Sequence, residues 1–451
     1  MTPLSIPALS ETSSALCVLF ILLVPLACAG LALINAGLGR SRSAAHAMLA
    51  SLCALGVAAL AYFVVGFSWQ GYIGLPAHSL TLGGREWNWI AAQPLFMRGL
   101  SFDSSPASLA AWLGIFSVGL AAMIPVGSGG DRWRLGAICA STALLAGLTC
   151  PLFAHWVWGG GWLARLGGNY GLGHGFVDAG GSGVIHVVGG LSALSIAWIL
   201  GPRRGKYSME GMPTAIPGHN SVIVLFGCML ALVGWMGLNS AGAILFAGAD
   251  PARAVLVGLN TMLAAASAGL SAAAVTRLRF GKPDASLSAN GWIGGLVASS
   301  AGCAFVPPAA AVAIGLAAGA LVVLSVEFFE LRMAVDDPGG SISVHAVSGI
   351  WGLMAVALFA HFPAPAVIVM GASPPPHASG DSGQWLAQIV GVATLVGFVL
   401  PLTYLLNWGL NRICPQRALQ DGERQGMDLH ELGAGAYPEF VTHTDEFTQL
   451  R

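Results

Sequence analysis

The feature that most constrains this chain is its succession of apolar stretches, each close to the length that crosses a bilayer. They lie near 14–36, 45–68, 104–126, 134–157, 183–201, 219–240, 252–276, 286–306, 308–329, 342–364 and 385–411. Each approaches the ~20 helical residues that span a ~30 Å hydrocarbon core. Charged residues make up only 9% of the 451-residue chain, against roughly 25% in a soluble domain. Hydrocarbon offers the backbone no water, so spanning segments of this length satisfy their own amides as helices. The expectation is an all-α membrane protein with eleven transmembrane helices. The least marked boundary is at Pro307 and Pro308, where almost no loop separates two runs.

The basic residues set an expected orientation. With the N-terminus outside, 15 of the 19 Lys and Arg fall on inner loops or the tail, among them Arg40, Arg132, Arg203, Lys206, Arg332, Arg417 and Arg451. The outer loops hold Arg85, Arg98, Arg165 and Arg253. The positive-inside rule therefore favours N-out, C-in, and an odd number of spans agrees with it. Ala27-Cys28-Ala29 resembles a signal-cleavage site, but no Lys or Arg precedes Arg40. The usual basic leader is missing, so the first helix is expected to be retained. Residues 1–411 read as one membrane domain and 412–451 as a cytoplasmic tail too short for a catalytic module. A net charge of −1 gives no reason to expect nucleic acid. The eight cysteines form no CxxC and read as packing residues rather than a disulfide frame or metal site.

Within this apolar background two units match. DAGGSGVIH runs from Asp178 to His186, and DPGGSISVH from Asp337 to His345. They open the fifth and tenth runs. A second echo links the first and sixth, AGLALINAG (29–37) and GWMGLNSAG (234–242). Runs 1–5 thus match runs 6–10, and an odd repeat unit crosses the membrane in the opposite sense. Such a 5+5 inverted repeat is a transporter signature with the path near the repeat interface, and the last helix stands outside it.

An ionisable group in a membrane span is costly and points to function. One isolated buried histidine would read as structural. Two in repeat-equivalent positions, His186 and His345, point to a pathway. Neutral imidazoles each offer one donor and one acceptor, which suits a small polar substrate or a proton relay without a metal or cofactor. Asp178 and Asp337 fit either helix caps or charges that attract a cation. Asp336 is expected at the inner surface. Trp158, in HWVWGGGW, is either an interfacial anchor or a cation–π partner. No nucleophile motif or metal-ligand spacing accompanies the histidines, so an intramembrane enzyme is not expected.

Together DAGGSGVIH, HWVWGGG, GWMGLNSAG and DDPGGSISVHAVSGIWG, in that order, resemble the ammonium transporter (Amt/Mep/Rh) family. GLALINAGLGRSRS and ERQGMDLHELGAGAY resemble its first-helix motif and its tail. The resemblance implies a homotrimer in the cell membrane with one pore per subunit. In that scheme ammonium is recruited at the outer mouth and loses its proton there, and ammonia passes twin histidines. His186 and His345 match those histidines, Trp158 the recruiting tryptophan and Asp178 the acidic residue beside it. A PII-type signal protein at the cytoplasmic face is a candidate partner under this resemblance.

The likeness has departures. Where the family has phenylalanines at its recruiting site and gate, this chain has Leu109, Leu113 and Leu238. Its serine aligns with Gly242, its first-helix aromatic with Asn35, and its acidic residue after the second Asp-Pro with Gly340. Trp112 and Phe116 are candidates for the missing aromatics. Each lost ring removes roughly 0.5–2 kcal/mol of cation–π attraction, so ammonium recruitment should be weaker than in a standard member, and Leu238→Phe should tighten it. An electroneutral ammonia, gas or small-solute channel and an ammonium sensor are the alternatives.

Overall fold

The computed structural model describes residues 9–362 and 383–437. Among them, ten helical segments are long and apolar enough to cross a membrane. They are α1 (Glu11–Leu38), α2 (Ser41–Gln70), α3 (Pro106–Ser128), α4 (Leu135–Val157), α5 (Ser182–Leu200), α6 (Ser221–Ala247), α7 (Pro251–Phe280), α9 (Pro308–Arg332), α10 (Ile342–Phe359) and α11 (Gln384–Ile413). Between α7 and α9 lies α8 (Ala285–Ser300), with 16 residues. At 1.5 Å per residue it reaches about 24 Å, short of the core thickness. The eighth run read from sequence, 286–306, is therefore a shorter helix followed by a turn. The far end of the tenth run (363–364) and Arg451 lie outside the described residues.

Glycine and alanine let the helices approach closely, as van der Waals packing in membranes favours. A Cβ on Gly30 of α1 would sit 2.5 Å from the Gly227 carbonyl of α6, and one on Gly227 would sit 2.7 Å from the Gly30 carbonyl. Several helices carry wide turns of the π type. Those at Leu145–Thr149 and Leu395–Val399 lie just before Pro151 and Pro401. A proline has no N–H to give the residue four back, and the ladder shifts there.

Loops 40–43, 131–134 and 200–206 meet the segment after Cys414 at one end of the bundle. Arg417 donates to the Leu200 and Pro202 carbonyls, at 2.8 and 2.9 Å, and Trp133 Nε1 donates to Gln416 Oε1 at 3.0 Å. Asp428 caps α2 by accepting the Ala45 and His46 N–H groups at 3.2 and 2.7 Å. Glu431 caps α4 through Leu135 N–H at 2.7 Å. Asp336, expected at the inner surface, lies at this end but is only 2% exposed. It pairs with Arg203 at 2.9 Å and stands 3.9 Å from Arg132. Burial opposes its charge, but Arg203 and Arg132 more than offset that and hold its carboxyl at about 2.

The opposite end carries an antiparallel hairpin, β1 (Ala77–Leu82) and β2 (Arg85–Ala91). Gly83 and Gly84, both at positive φ, make the two-residue turn that hairpins favour. Asn88 of β2 bonds His155 at 2.8 Å, and Glu86 pairs with Arg165 at 2.6 Å. The stretch read as an outer loop therefore has a structured centre.

Candidate functional site

Each Asp/His unit becomes a loop that turns into a helix. Asp178 Oδ1 accepts Gly181 N–H at 3.1 Å, and Oδ2 accepts those of Gly183 and Val184 at 2.9 and 2.8 Å. The cap holds the first turn open, and His186 N–H reaches back five residues to the Gly181 carbonyl at 3.1 Å. His186 therefore sits on a wide turn, Ser182–Val187, and His345 on its counterpart, Ile342–Val347. Wide turns of this kind occur often at functional sites. In the second unit Asp337 Oδ2 accepts Ile342 N–H at 2.7 Å.

The turns bring the two imidazoles together in the interior. Their ring centroids are 5.3 Å apart with planes inclined by 30°. The other side of His186 stacks on Trp235 of α6, at 4.9 Å and 11°. His186 is fully buried and His345 is 2% exposed. Both ring nitrogens of His186, and Nδ1 of His345, have no hydrogen-bond partner among the described residues. Buried polar atoms are ordinarily paired. Stacked rings with unpaired nitrogens suit passage of a small hydrogen-bonding molecule, and a lone structural histidine would instead be tied to a neighbour. His155, also buried, shows that contrast: it bonds the Gln70 carbonyl and Asn88 Oδ1, both at 2.8 Å.

Trp158 closes α4 at the end that carries the hairpin. Its indole N–H donates to the Asp178 carbonyl at 2.7 Å, so the recruiting candidate and the capping loop are one assembly. One face of Trp158 is covered by Phe246 of α6, at 4.1 Å with planes only 4° apart. Trp158, Asp178 and Phe246 line a cavity with His174, Phe305 and Phe362. Sequence reasoning missed these aromatics. Phe246 stands four residues past Gly242 and was visible in that respect, but nothing local ties Phe305 or Phe362 to Trp158.

The three leucines are placed differently. Leu109, Leu113 and Leu238 are all buried, and none is among the residues that line the Trp158 cavity. Leu109 and Trp112 face a second cavity beside Val18, Asp103 and Ser108. Leu238 lies on α6 one turn from Trp235 and one turn from Gly242. Gly242 itself packs against the capping loop, where a Cβ would sit 2.5 Å from the Ala179 carbonyl. That loop is also stitched to the end of α8: Ala179 and Gly180 N–H groups donate to Ala301 and Ser300 carbonyls at 3.0 and 2.9 Å.

Comparison with known proteins fits this geometry. The model of the Ammonium Transporter Family matches residues 15–437. An ammonium transporter Amt2 of Archaeoglobus fulgidus is 35% identical over 425 residues, covering 92% of this chain and 85% of that protein. An ammonium transporter of Bacillus subtilis is 30% identical over 417 residues, covering 92% and 96%. These relatives are named as transporters, not as enzymes. Among solved structures, one described as Sensor Amt Protein is similar with a TM-score of 0.81 and 27% identity, over 93% of this chain and 98% of that one. Mep2 of Saccharomyces cerevisiae is similar with a TM-score of 0.71 and 26% identity, over 90% and 89%. With the family model running over nearly its whole length and a relative of 35% identity, this multi-pass membrane chain belongs to the ammonium transporter family.

Proposed function

We propose that the protein carries ammonium nitrogen across the cell membrane, taking ammonium at the Trp158–Asp178 mouth and passing ammonia between His186 and His345. The observation that carries this reading is the buried, stacked histidine pair, three of whose four ring nitrogens have no hydrogen-bond partner among the described residues. A bare ion in this apolar interior would lose its hydration at a cost of several kcal/mol. Deprotonation therefore belongs at the mouth, before the histidines. Leu113 and Leu238 serve as the constriction between mouth and pair, with Leu238 between the levels of Trp235 and Gly242. Asp178 and Asp337 hold the two turns that present the histidines.

In this reading α1–α5 and α6–α10 form an inverted repeat, α8 counts as a short eighth span, and α11 follows as the eleventh, with N-out, C-in orientation. Matched bonds support the repeat. Gly180 N–H meets the end of α8, and Gly339 N–H meets the Gly127 carbonyl near the end of α3 at 3.1 Å. Residues 1–411 carry the pore, and the tail straps the cytoplasmic end. Exposed apolar side chains such as Leu19, Leu22, Val222 and Phe226 on α1 and α6 suit lipid or the neighbouring subunits of a homotrimer. A PII-type protein would approach the tail's side.

The test is flux in proteoliposomes. His186→Ala combined with His345→Ala should reduce ammonium-driven uptake at least about tenfold, a barrier change of ~1.4 kcal/mol. Unchanged uptake sinks the reading. Ammonia flux without any ammonium-evoked current would favour the electroneutral channel.

A second reading, an ammonium sensor, is favoured by the ring of Phe246 lying flat over Trp158 and by the likeness to the structure described as Sensor Amt Protein. Phe246→Ala separates the two. In a transporter, uncovering Trp158 changes the half-saturating ammonium concentration of uptake. In a sensor, ammonium binding changes while uptake stays absent.

A further inference from the structure

We propose that Asn35 and Ser341, with Asn290 and Asp337 beside them, form a polar reception site for ammonium at the end of the pathway opposite Trp158. This rests on the transport reading above.

The two Asp/His units share the serine that opens each helix, yet the serines are used differently. Ser182 is saturated: its hydroxyl donates to the Val297 carbonyl at 2.7 Å and accepts Ala301 N–H at 2.8 Å. Ser341 is 4% exposed, and its hydroxyl has no such partner among the described residues. The aspartates differ in the same way. Both oxygens of Asp178 accept backbone N–H groups, but Asp337 Oδ1 is buried and has no partner among the described residues.

Asn35 completes the difference. Its amide nitrogen is fixed by the Met123 carbonyl at 3.1 Å, which aims its oxygen at Gly127. A Cβ on Gly127 would lie 2.5 Å from Asn35 Oδ1 and 2.6 Å from Ser341 Oγ. The two oxygens thus converge over a residue with no side chain, and a Cβ on Gly339 would crowd Ser341 Oγ from the other side at 3.0 Å. Asn290, 6% exposed, turns its amide nitrogen toward Gly340, which sits at φ +65°, and so borders the site with a donor rather than adding an acceptor.

Position and chemistry agree. Ser341 is four residues before His345, about one turn along the same helix, on the side of the Asp336–Arg203–Arg132 cluster. The oxygens of Asn35, Ser341 and Asp337 supply acceptors, and acceptor-rich groups select a ligand that is all donor. Ammonium has four N–H donors, and ammonia leaving the histidines must regain a proton. The adjacent cluster sets Arg40, Arg132 and Arg203 against Asp131 and Asp336 and so offers a cation no net negative charge; selectivity would come from the oxygens. The aromatic that the family resemblance places at position 35 could not supply it.

The test uses the full chain in proteoliposomes of known orientation, with ammonium titrated from each side. Asn35→Leu and Ser341→Ala should each raise the half-saturating ammonium concentration on the Ser341 side by about tenfold, the factor a single hydrogen bond to a charged group carries. The value on the Trp158 side should stay within about twofold. Asn35→Ser, which keeps an oxygen, should restore part of the loss and serves if the leucine variant fails to fold. Shifts that are equal on both sides, or absent, overturn this site while leaving the transport reading intact. A wild-type protein that moves no ammonium overturns both.

Discussion

The loop before His186 and the loop before His345 begin from nine-residue units that share five positions, the Asp, Gly-Gly, Ser and His, and end in different states. The first is closed on itself and its neighbours. Asp178 is spent on three N–H groups, Ser182 on α8, and Gly242 admits the backbone of Ala179. The second leaves Asp337 Oδ1 without a partner among the described residues and gathers the oxygens of Ser341 and Asn35 over Gly127. A shared motif therefore guarantees the shared element, a capped wide turn with an inward histidine. What surrounds that turn is set by the helices packed on it, which differ between the two halves.

The sharpest way to break this contrast is to remove the caps. Asp178→Ala strands three buried N–H groups and should lower stability by roughly 2–4 kcal/mol, whereas Asp337→Ala should cost about 1 kcal/mol. Thermal unfolding in detergent would rank them, and equal losses would show that the loops are equivalent after all. Next in size is the glycine pair. Gly242→Ser places a Cβ against the Ala179 carbonyl, which cannot move freely, and should cost about 1–3 kcal/mol without tightening ammonium uptake. The nearest atoms that Gly127→Ala would meet are side-chain atoms of Asn35 and Ser341, so its cost should be smaller and its effect confined to transport on that side.

A smaller effect concerns acid. Asp336 is held at about 2 beside Arg203 and Arg132, below its ordinary value near 4. A carboxyl depressed by folding adds stability that is complete above the ordinary value and lost as the pH falls toward 2. Arg203→Ala should flatten the fall of the thermal midpoint between pH 4 and about 2.5. An unchanged slope would mean that Arg132 alone holds the charge. Smallest of all should be Leu238→Phe. The Trp158 cavity already has Phe246, Phe305 and Phe362, so an added ring at 238 should shift ammonium affinity by less than about threefold.

Much of this was legible from sequence for physical reasons. Span positions follow from apolar length, and the paired histidines stand out because ionisable groups are rare in such segments. The shortness of α8 was hidden because residues 301–306, AGCAFV, are as apolar as the helix they follow. Its end is fixed by bonds from Ala179, Gly180 and Ser182, more than a hundred residues away. The aromatic lining of the Trp158 cavity was hidden for the same reason. Local departures at Leu109, Leu113 and Leu238 suggested that rings were missing, while Phe246, Phe305 and Phe362 arrive from three separate segments. Asn35 was visible as a departure, but its pairing with Ser341 over Gly127 needs the fold.

The caps supplied by Asp428 carry a consequence in time. The first amides of α2 find their acceptor only 382 residues further along the chain. At the ~5–20 residues per second of synthesis, that acceptor emerges roughly 20–75 s after the helix it completes. Until then the Ala45 and His46 amides have no carboxylate from the tail to accept them. A chain interrupted before Asp428 would therefore contain every span and both histidines, yet leave α2 uncapped at the end where Asn35 and Ser341 meet.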